Sequence, residues 1–255
     1  MKRVRVIPAL LMQKGGLVKS VCFKDHKYVG DPINAVRIFN EKEVDEIVIL
    51  DISATREGRG PDFEKIREMA GEAFMPLAYG GGITTLDEIR TLITLGVEKV
   101  VLNTSAISRT TLVSEASKYV GSQSIVVSID VKKNLFGQYR AYTRCGQEKT
   151  GEDPVELAKR MEAAGAGEIL LMSIDRDGTC KGYDHVLIEK VSHSVGIPVI
   201  AIGGASGIHD FLTAVKHGAS GVAAGSFFVF QGTHRAVLIS YPTQVELKEG
   251  FFNKI

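Results

Sequence analysis

Shifted by 122 residues, the sequence matches itself without a gap for about sixty residues. Glu46-Ile47 falls on Glu168-Ile169, Gly60 and Asp62 on Gly182 and Asp184, and Pro76 on Pro198. Gly81-Gly82 falls on Gly203-Gly204, Gly96 on Gly218, and Val100 on Val222. Self-similarity at a period near half the chain length means that one supersecondary assembly has been used twice. The fold must therefore divide into two like halves, roughly residues 1–122 and 123–255.

Short β-branched runs, each closed by a turn or a glycine, mark eight strands: Val4–Leu10, Glu46–Leu50, Pro76–Tyr79, Lys99–Leu102, Ser124–Ile129, Glu168–Met172, Pro198–Ile202 and Gly221–Ala224. Between most of them the apolar spacing changes to three and four, as in Leu86, Ile89, Leu92 and Ile93 and their copies Ile208, Phe211, Ala214 and Val215. Strands apolar almost throughout, alternating with helices, read as parallel strands covered on their outer face. Eight such units predict a (β/α)8 barrel of two tandem half-barrels, in which the 122-residue shift moves each strand four places round the ring. A chain of 255 residues, 44% hydrophobic, suits one such domain spanning 1–255.

A formal charge of +1 without a basic run argues against nucleic acid as a partner. The Lys2-Arg3 pair precedes a short strand rather than an apolar leader core, and no stretch approaches the ~18 apolar residues of a membrane span. The expected location is cytoplasmic. Cys22, Cys145 and Cys180 are odd in number and widely spaced, which predicts free thiols in a reducing compartment. The six histidines show no metal-ligand spacing, and nothing calls for a metal or cofactor.

In barrels of this kind the active site is built from loops at the C-terminal ends of the strands. Strand three ends in Gly80-Gly81-Gly82, and its copy, strand seven, in Gly203-Gly204. Strand four ends in Asn103-Thr104-Ser105, and strand eight in Gly225-Ser226. Glycines let backbone N–H groups approach an anion, and a following helix start adds unpaired donors. Glycine pairs also serve simply to make tight turns. Two related loops in each half nevertheless favour one phosphate cradle per half, hence a ligand with a phosphate at each end spanning the mouth.

The segment Leu170-Leu-Met-Ser173-Ile-Asp175-Arg-Asp177-Gly178-Thr179, with Gly80-Gly-Gly-Ile83, Gly30-Asp31-Pro32 and Gly203-Gly-Ala205, resembles the HisF-type cyclase subunit of imidazole glycerol phosphate synthase over nearly the whole chain. A sister barrel, the sugar isomerase acting on the preceding intermediate, matches Ser173–Thr179 less well. The resemblance implies a glutaminase subunit on the N-terminal face of the barrel, which sends ammonia through its centre to a bisphosphorylated formimino substrate. It also assigns Arg5, Glu46, Lys99 and Glu168, at or near the beginnings of strands one, two, four and six, to a gate of alternating charges. Two cations and two carboxylates can satisfy one another in a partly buried place, so a purely stabilising ring is the alternative.

At the mouth, the resemblance implies two aspartates acting as general acid and base, after strands one and five. Strand five supplies Asp130, whose other possible role is to cap the following turn. In Val6-Ile-Pro-Ala9-Leu10-Leu11-Met12-Gln13 the matching position is Leu11, which can neither donate nor accept a proton. Met12, Met172 and Ile202 stand where the family tends to carry smaller or more polar side chains. Lys19, in the loop expected to close over substrate, and Asp51, at the end of strand two, are kept, and Asp175 and Asp177 beside Gly178, which could suggest a cation site, are expected instead to orient backbone and substrate after strand six.

Two functions follow. One is a working synthase subunit of histidine biosynthesis that tolerates Leu11. The other is an ammonia conduit coupling a glutaminase to another acceptor enzyme, such as a sugar amidotransferase making acetamidino sugars for surface polysaccharides. A phosphate-binding barrel without partner would leave the charges at its base without a purpose. The long connection Lys132–Pro154 reads as a loop over the mouth or as an added hairpin drawn from Gln138–Arg144, and the tail from Gln231 is expected to hold the last helix.

Overall fold

Eight parallel strands close on themselves: β1 (Arg5–Gln13), β2 (Ile47–Asp51), β3 (Leu77–Gly80), β4 (Lys99–Leu102), β5 (Ile125–Lys133), β6 (Glu168–Ser173), β7 (Val199–Ile202) and β8 (Gly221–Ala224). Each pairs with its neighbours in sequence order, and β8 returns to β1. The computed structural model describes residues 4–232 and 234–255, so Lys2 and Arg3 lie outside the described residues. Outside the barrel run α1 (Pro32–Glu41), α2 (Phe63–Glu72), α3 (Leu86–Thr94) and α4 (Thr110–Val120). The second half adds α5 (Pro154–Ala163), α6 (His185–Ser192), α7 (Ile208–Lys216) and α8 (Gln244–Gly250), the last in the expected tail. All eight predicted strands are present. β1 and β5 continue three and four residues further, because each leads straight into a hairpin.

The duplication reappears as geometry. Asp62 and Asp184 cap α2 and α6 with nearly the same backbone angles, each carboxylate accepting from the N–H three residues on. Glu88 and Asp210, also 122 apart, each accept from the backbone N–H and hydroxyl of a residue four back, Thr84 and Ser206. Along the sheet, Leu11 lies opposite Leu50 and Asp130 opposite Met172. Leu50 and Met172 are repeat partners, so the register makes Leu11 the structural counterpart of Asp130.

Strand alternation sorts the apolar residues into two cores. One face of each strand, as in Ile47, Ile49 and Tyr79, packs against the helices. The interior of the ring is filled by repeat pairs, Val48 with Leu170, Ala78 with Ile200 and Val101 with Ala223, together with Ile7, Ala9 and Val126. Layers of this kind make the inside of the ring apolar.

Two additions cover the mouth. After β1 a hairpin of Gly16–Val21 and Lys24–Gly30 folds over the ring. After β5, Tyr139–Thr143 and Glu148–Lys149 extend the sheet, which settles the Lys132–Pro154 connection as a hairpin. No described helix is long and apolar enough to cross a membrane.

Candidate active site at the barrel mouth

The glycine loops after β3 and β7 owe their residue type to crowding as well as conformation. Gly81 and Gly203 have φ of +119° and +98°, and a Cβ there would stand 2.3 Å from the Asp51 carbonyl oxygen and 2.7 Å from that of Ser173. Gly82 and Gly204 meet the backbone around Gly60 and Gly182 in the same way. Only glycine allows these turns to lie so close to the neighbouring loop.

The loops open into two chambers of unequal size. A cavity of about 570 Å³ is lined by Asp51, Gly81, Gly82, Asn103, Thr104 and Asp130 among others. A second, of about 20 Å³, is lined by Lys19, Asp177, Gly178, Gly203, Gly204, Gly225 and Ser226. Leu11 and Met172 border both chambers, with Ile202 on the smaller one, so an apolar wall divides the two cradles. The helices after Asn103 and Gly225 are short, Thr104–Ser108 and Ser226–Val229.

Asp130 is buried, and its carboxylate accepts the Ser128 hydroxyl at 3.1 Å. It caps no turn. Burial lifts its pKa to about 7; the Ser128 hydrogen bond opposes this and the charge of Asp177 adds to it. Such a group can give or take a proton near neutral pH. At the counterpart position Leu11 supplies no titratable atom.

Asp51 is anchored from several sides. It accepts from the backbone N–H groups of Ser53 and Ala54 and from the Ser53 hydroxyl, and it pairs with Arg59 at 2.7 Å. It therefore shapes the loop after β2 as well as lining the cavity. Lys19 lies in a hairpin strand rather than a loop, with its ammonium on the Ala9 carbonyl over Gly225. Burial lowers its pKa to about 8, against the pull of Asp177.

Asp177 latches this hairpin to the β6 loop. Its carboxylate accepts the Ser20 hydroxyl at 2.7 Å and the Phe23 N–H, and its carbonyl accepts the Cys22 N–H at 2.9 Å. Gly178 is needed for the same contact, since a Cβ would stand 2.1 Å from the Ser20 carbonyl oxygen. Cys22 and Phe23 adopt left-handed backbone conformations unusual for such residues, and Phe23 packs on the barrel interior.

The other expected group lies at the opposite end. Arg5 bonds both Glu46 and Glu168, and Lys99 reaches Glu46 at 2.8 Å and Glu168 at 3.4 Å. The four form a closed square of alternating sign at the base of the ring. Burial works against the charge of Arg5, and the carboxylates of Glu168 and Glu46 outweigh it, raising its pKa.

Sequence reasoning missed Arg56, Arg109 and Lys132 in the large chamber, and the contributions of Cys22, Phe23 and His26 from the hairpin. The arginines follow β2 and β4 closely enough for the rule about strand ends to have found them. The hairpin residues gave no such signal, because only folding brings them over the ring. Among the described residues no cluster of three or more His, Cys, Asp or Glu could hold a metal, and the three cysteines are free thiols.

Fold and site together define a (β/α)8 barrel with a charged square at its base and paired glycine loops and a buried carboxylate at its mouth. The chain belongs to the histidine biosynthesis protein family, whose model matches residues 5–235, and within it to the HisF-like subunits of imidazole glycerol phosphate synthase. A protein of Pseudomonas aeruginosa named as subunit hisF2 of that synthase is 51% identical over 251 residues, covering 98% of this chain and 100% of that one. A HisF-named protein of Leptospira interrogans is 47% identical over 254 residues, 99% of this chain and 100% of its own. The HisF subunit of Alkaliphilus metalliredigens is 43% identical over 225 residues, 88% of this chain and 89% of its own.

Proposed function

We propose that this chain is the ammonia-using subunit of a cytoplasmic glutamine amidotransferase pair. A glutaminase on the N-terminal face releases ammonia beneath Arg5, Glu46, Lys99 and Glu168. The neutral molecule passes this square when a side chain swings aside, crosses the apolar interior and meets a bisphosphorylated acceptor at the mouth. The observation that carries this reading is the square itself, four charges meeting at the base of a ring whose interior is otherwise apolar. Partly buried charge is costly unless each group is paired, and here each is paired twice.

At the mouth, Gly81, Gly82, Asn103 and Thr104 would hold one phosphate and Gly203, Gly204, Gly225 and Ser226 the other. Lys19 and Asp51 would position the acceptor, and Asp130 would move protons. Ring closure of the family type needs a second proton-handling group, and loss of one typically costs about 10²–10⁴ in rate. Supplied with ammonium salt and the formimino bisphosphate, the purified chain should turn over slowly or not at all while still binding the compound. Rapid ammonia-dependent formation of imidazole glycerol phosphate would exclude a changed role, and Asp130→Asn should remove whatever activity exists.

Leu11 and the wall it makes with Met172 favour a second reading, in which the chain conducts ammonia without closing a ring. The acceptor then belongs to another enzyme, such as a sugar amidotransferase of surface polysaccharide synthesis. Glutaminase activity that rises on mixing with this chain, with ammonia consumed only when a third protein is present, would separate this reading from the first.

A further inference from the structure

The two cradles differ in the charges beside them. Arg56, in the short helix Ala54–Glu57 after β2, and Arg109, just after Thr104–Ser108, line the large chamber together with the Gly81-Gly82 loop. Both are exposed, and among the described residues neither pairs with a carboxylate. Arg109 only donates to the Thr84 carbonyl, at 3.2 Å. Thr55, beside Arg56, accepts from the Gly82 N–H at 3.4 Å and so holds that helix against the glycine loop. Arg59 is not available in the same way, being held by Asp51 and Glu57. Lys24 and Lys132 add positive charge to the lining, and of its two carboxylates Asp51 is already paired with Arg59.

Advanced by 122 residues, Arg56 becomes Gly178 and Arg109 becomes Gln231, so the second half lacks both guanidinium groups. Its chamber has room for about one water, with Lys19 turned onto the Ala9 carbonyl. Arg176, near Gly204, donates to the Lys181 carbonyl. The Leu11 and Met172 wall bars the way from one cradle to the other.

We propose that the mouth takes its ligand by one end, through two adjacent anionic groups, as a diphosphate ester. One phosphate lies on the Gly81-Gly82 loop with Asn103 and Thr104. Arg56 and Arg109 hold the other, guanidinium forks being suited to phosphate oxygens. The rest of the molecule extends toward Asp130 within a volume typical of small-molecule sites. This inference rests on the mouth being the ligand site, as proposed above, and moves the second phosphate from the Gly203-Gly204 loop to Arg56 and Arg109.

Calorimetric titration of the full chain without divalent cations tests it, with inorganic pyrophosphate, orthophosphate and fructose 1,6-bisphosphate as probes. Pyrophosphate should bind one to one and about tenfold or more tighter than either of the others. Arg56→Gln with Arg109→Gln should bring pyrophosphate down to the level of orthophosphate. Arg67→Gln, an exposed charge on α2, should leave pyrophosphate binding as it is, which separates a site from a long-range field. A thermal melt of the double variant checks folding. Tightest binding by the spaced bisphosphate, or undiminished pyrophosphate binding in the double variant, would overturn the inference and leave the mouth as a ligand site. Binding of none of the three would overturn both.

Discussion

Asp130 and Tyr79 show how single buried atoms set testable properties of this barrel. In the folded chain the Asp130 carboxyl keeps its proton up to about pH 7, against a reference value of 3.8, because burial disfavours its anion. Between those values the folded state binds more protons than the unfolded one, so stability should fall as pH rises from about 4 to about 7 and level off above. Urea unfolding at pH 5 and pH 8 should show that decline, and Asp130→Asn should flatten it. Tyr79 is fully buried with no partner for its hydroxyl among the described residues, and burial raises its pKa. Tyr79→Phe should leave thermal stability unchanged or raise it by about 1 kcal/mol. The pairing of Leu11 with Asp130 was legible through the family resemblance, which places one proton-handling residue after strand one and one after strand five. The protonation of Asp130 was not, since burial depends on residues from other strands.

Among the elements, the hairpin Gly16–Gly30 depends most on a distant residue. Three of its groups are held by Asp177, across more than 150 positions of chain. Asp177→Ala should therefore loosen Lys24–Gly30, seen as faster amide hydrogen exchange there with the barrel strands still protected. Gly178→Ala meets both a left-handed backbone, φ +67°, and the Ser20 carbonyl, and should cost roughly 1–3 kcal/mol or more by urea unfolding. Strands and helices were legible through their periods of two and 3.6. The hairpin escaped that reading because Lys24–Gly30 is polar and largely exposed, held by its turn and by Asp177 rather than by an alternating apolar face. Lys19, placed in a loop by the resemblance, lies in the buried strand Gly16–Val21 of the same hairpin.

At the scale of the whole molecule, duplication sets the architecture, and departures from it set the differences between the two halves. The base square combines both, with Glu46 and Glu168 as repeat partners but Lys99 answered by Gly221. Removing one carboxylate leaves two cations to share the other. Glu168→Ala should cost roughly 2–3 kcal/mol, below the ~3–5 of a fully buried pair because Arg5 retains 27% side-chain exposure. Glu46→Ala on top of it should not add linearly, as residues of one network rarely do, and a double-mutant cycle by urea unfolding would show the coupling. The barrel and its paired glycine loops could be read from strand endings and glycines. The inequality of the chambers could not, since it arises from side chains of β1, β6 and the hairpin meeting across the axis. Leu11 and Met172 thus act as a bulkhead between the two compartments. Leu11→Ala combined with Met172→Ala should merge them into one elongated basin, so that an elongated molecule with charge at both ends gains affinity where a compact one gains none.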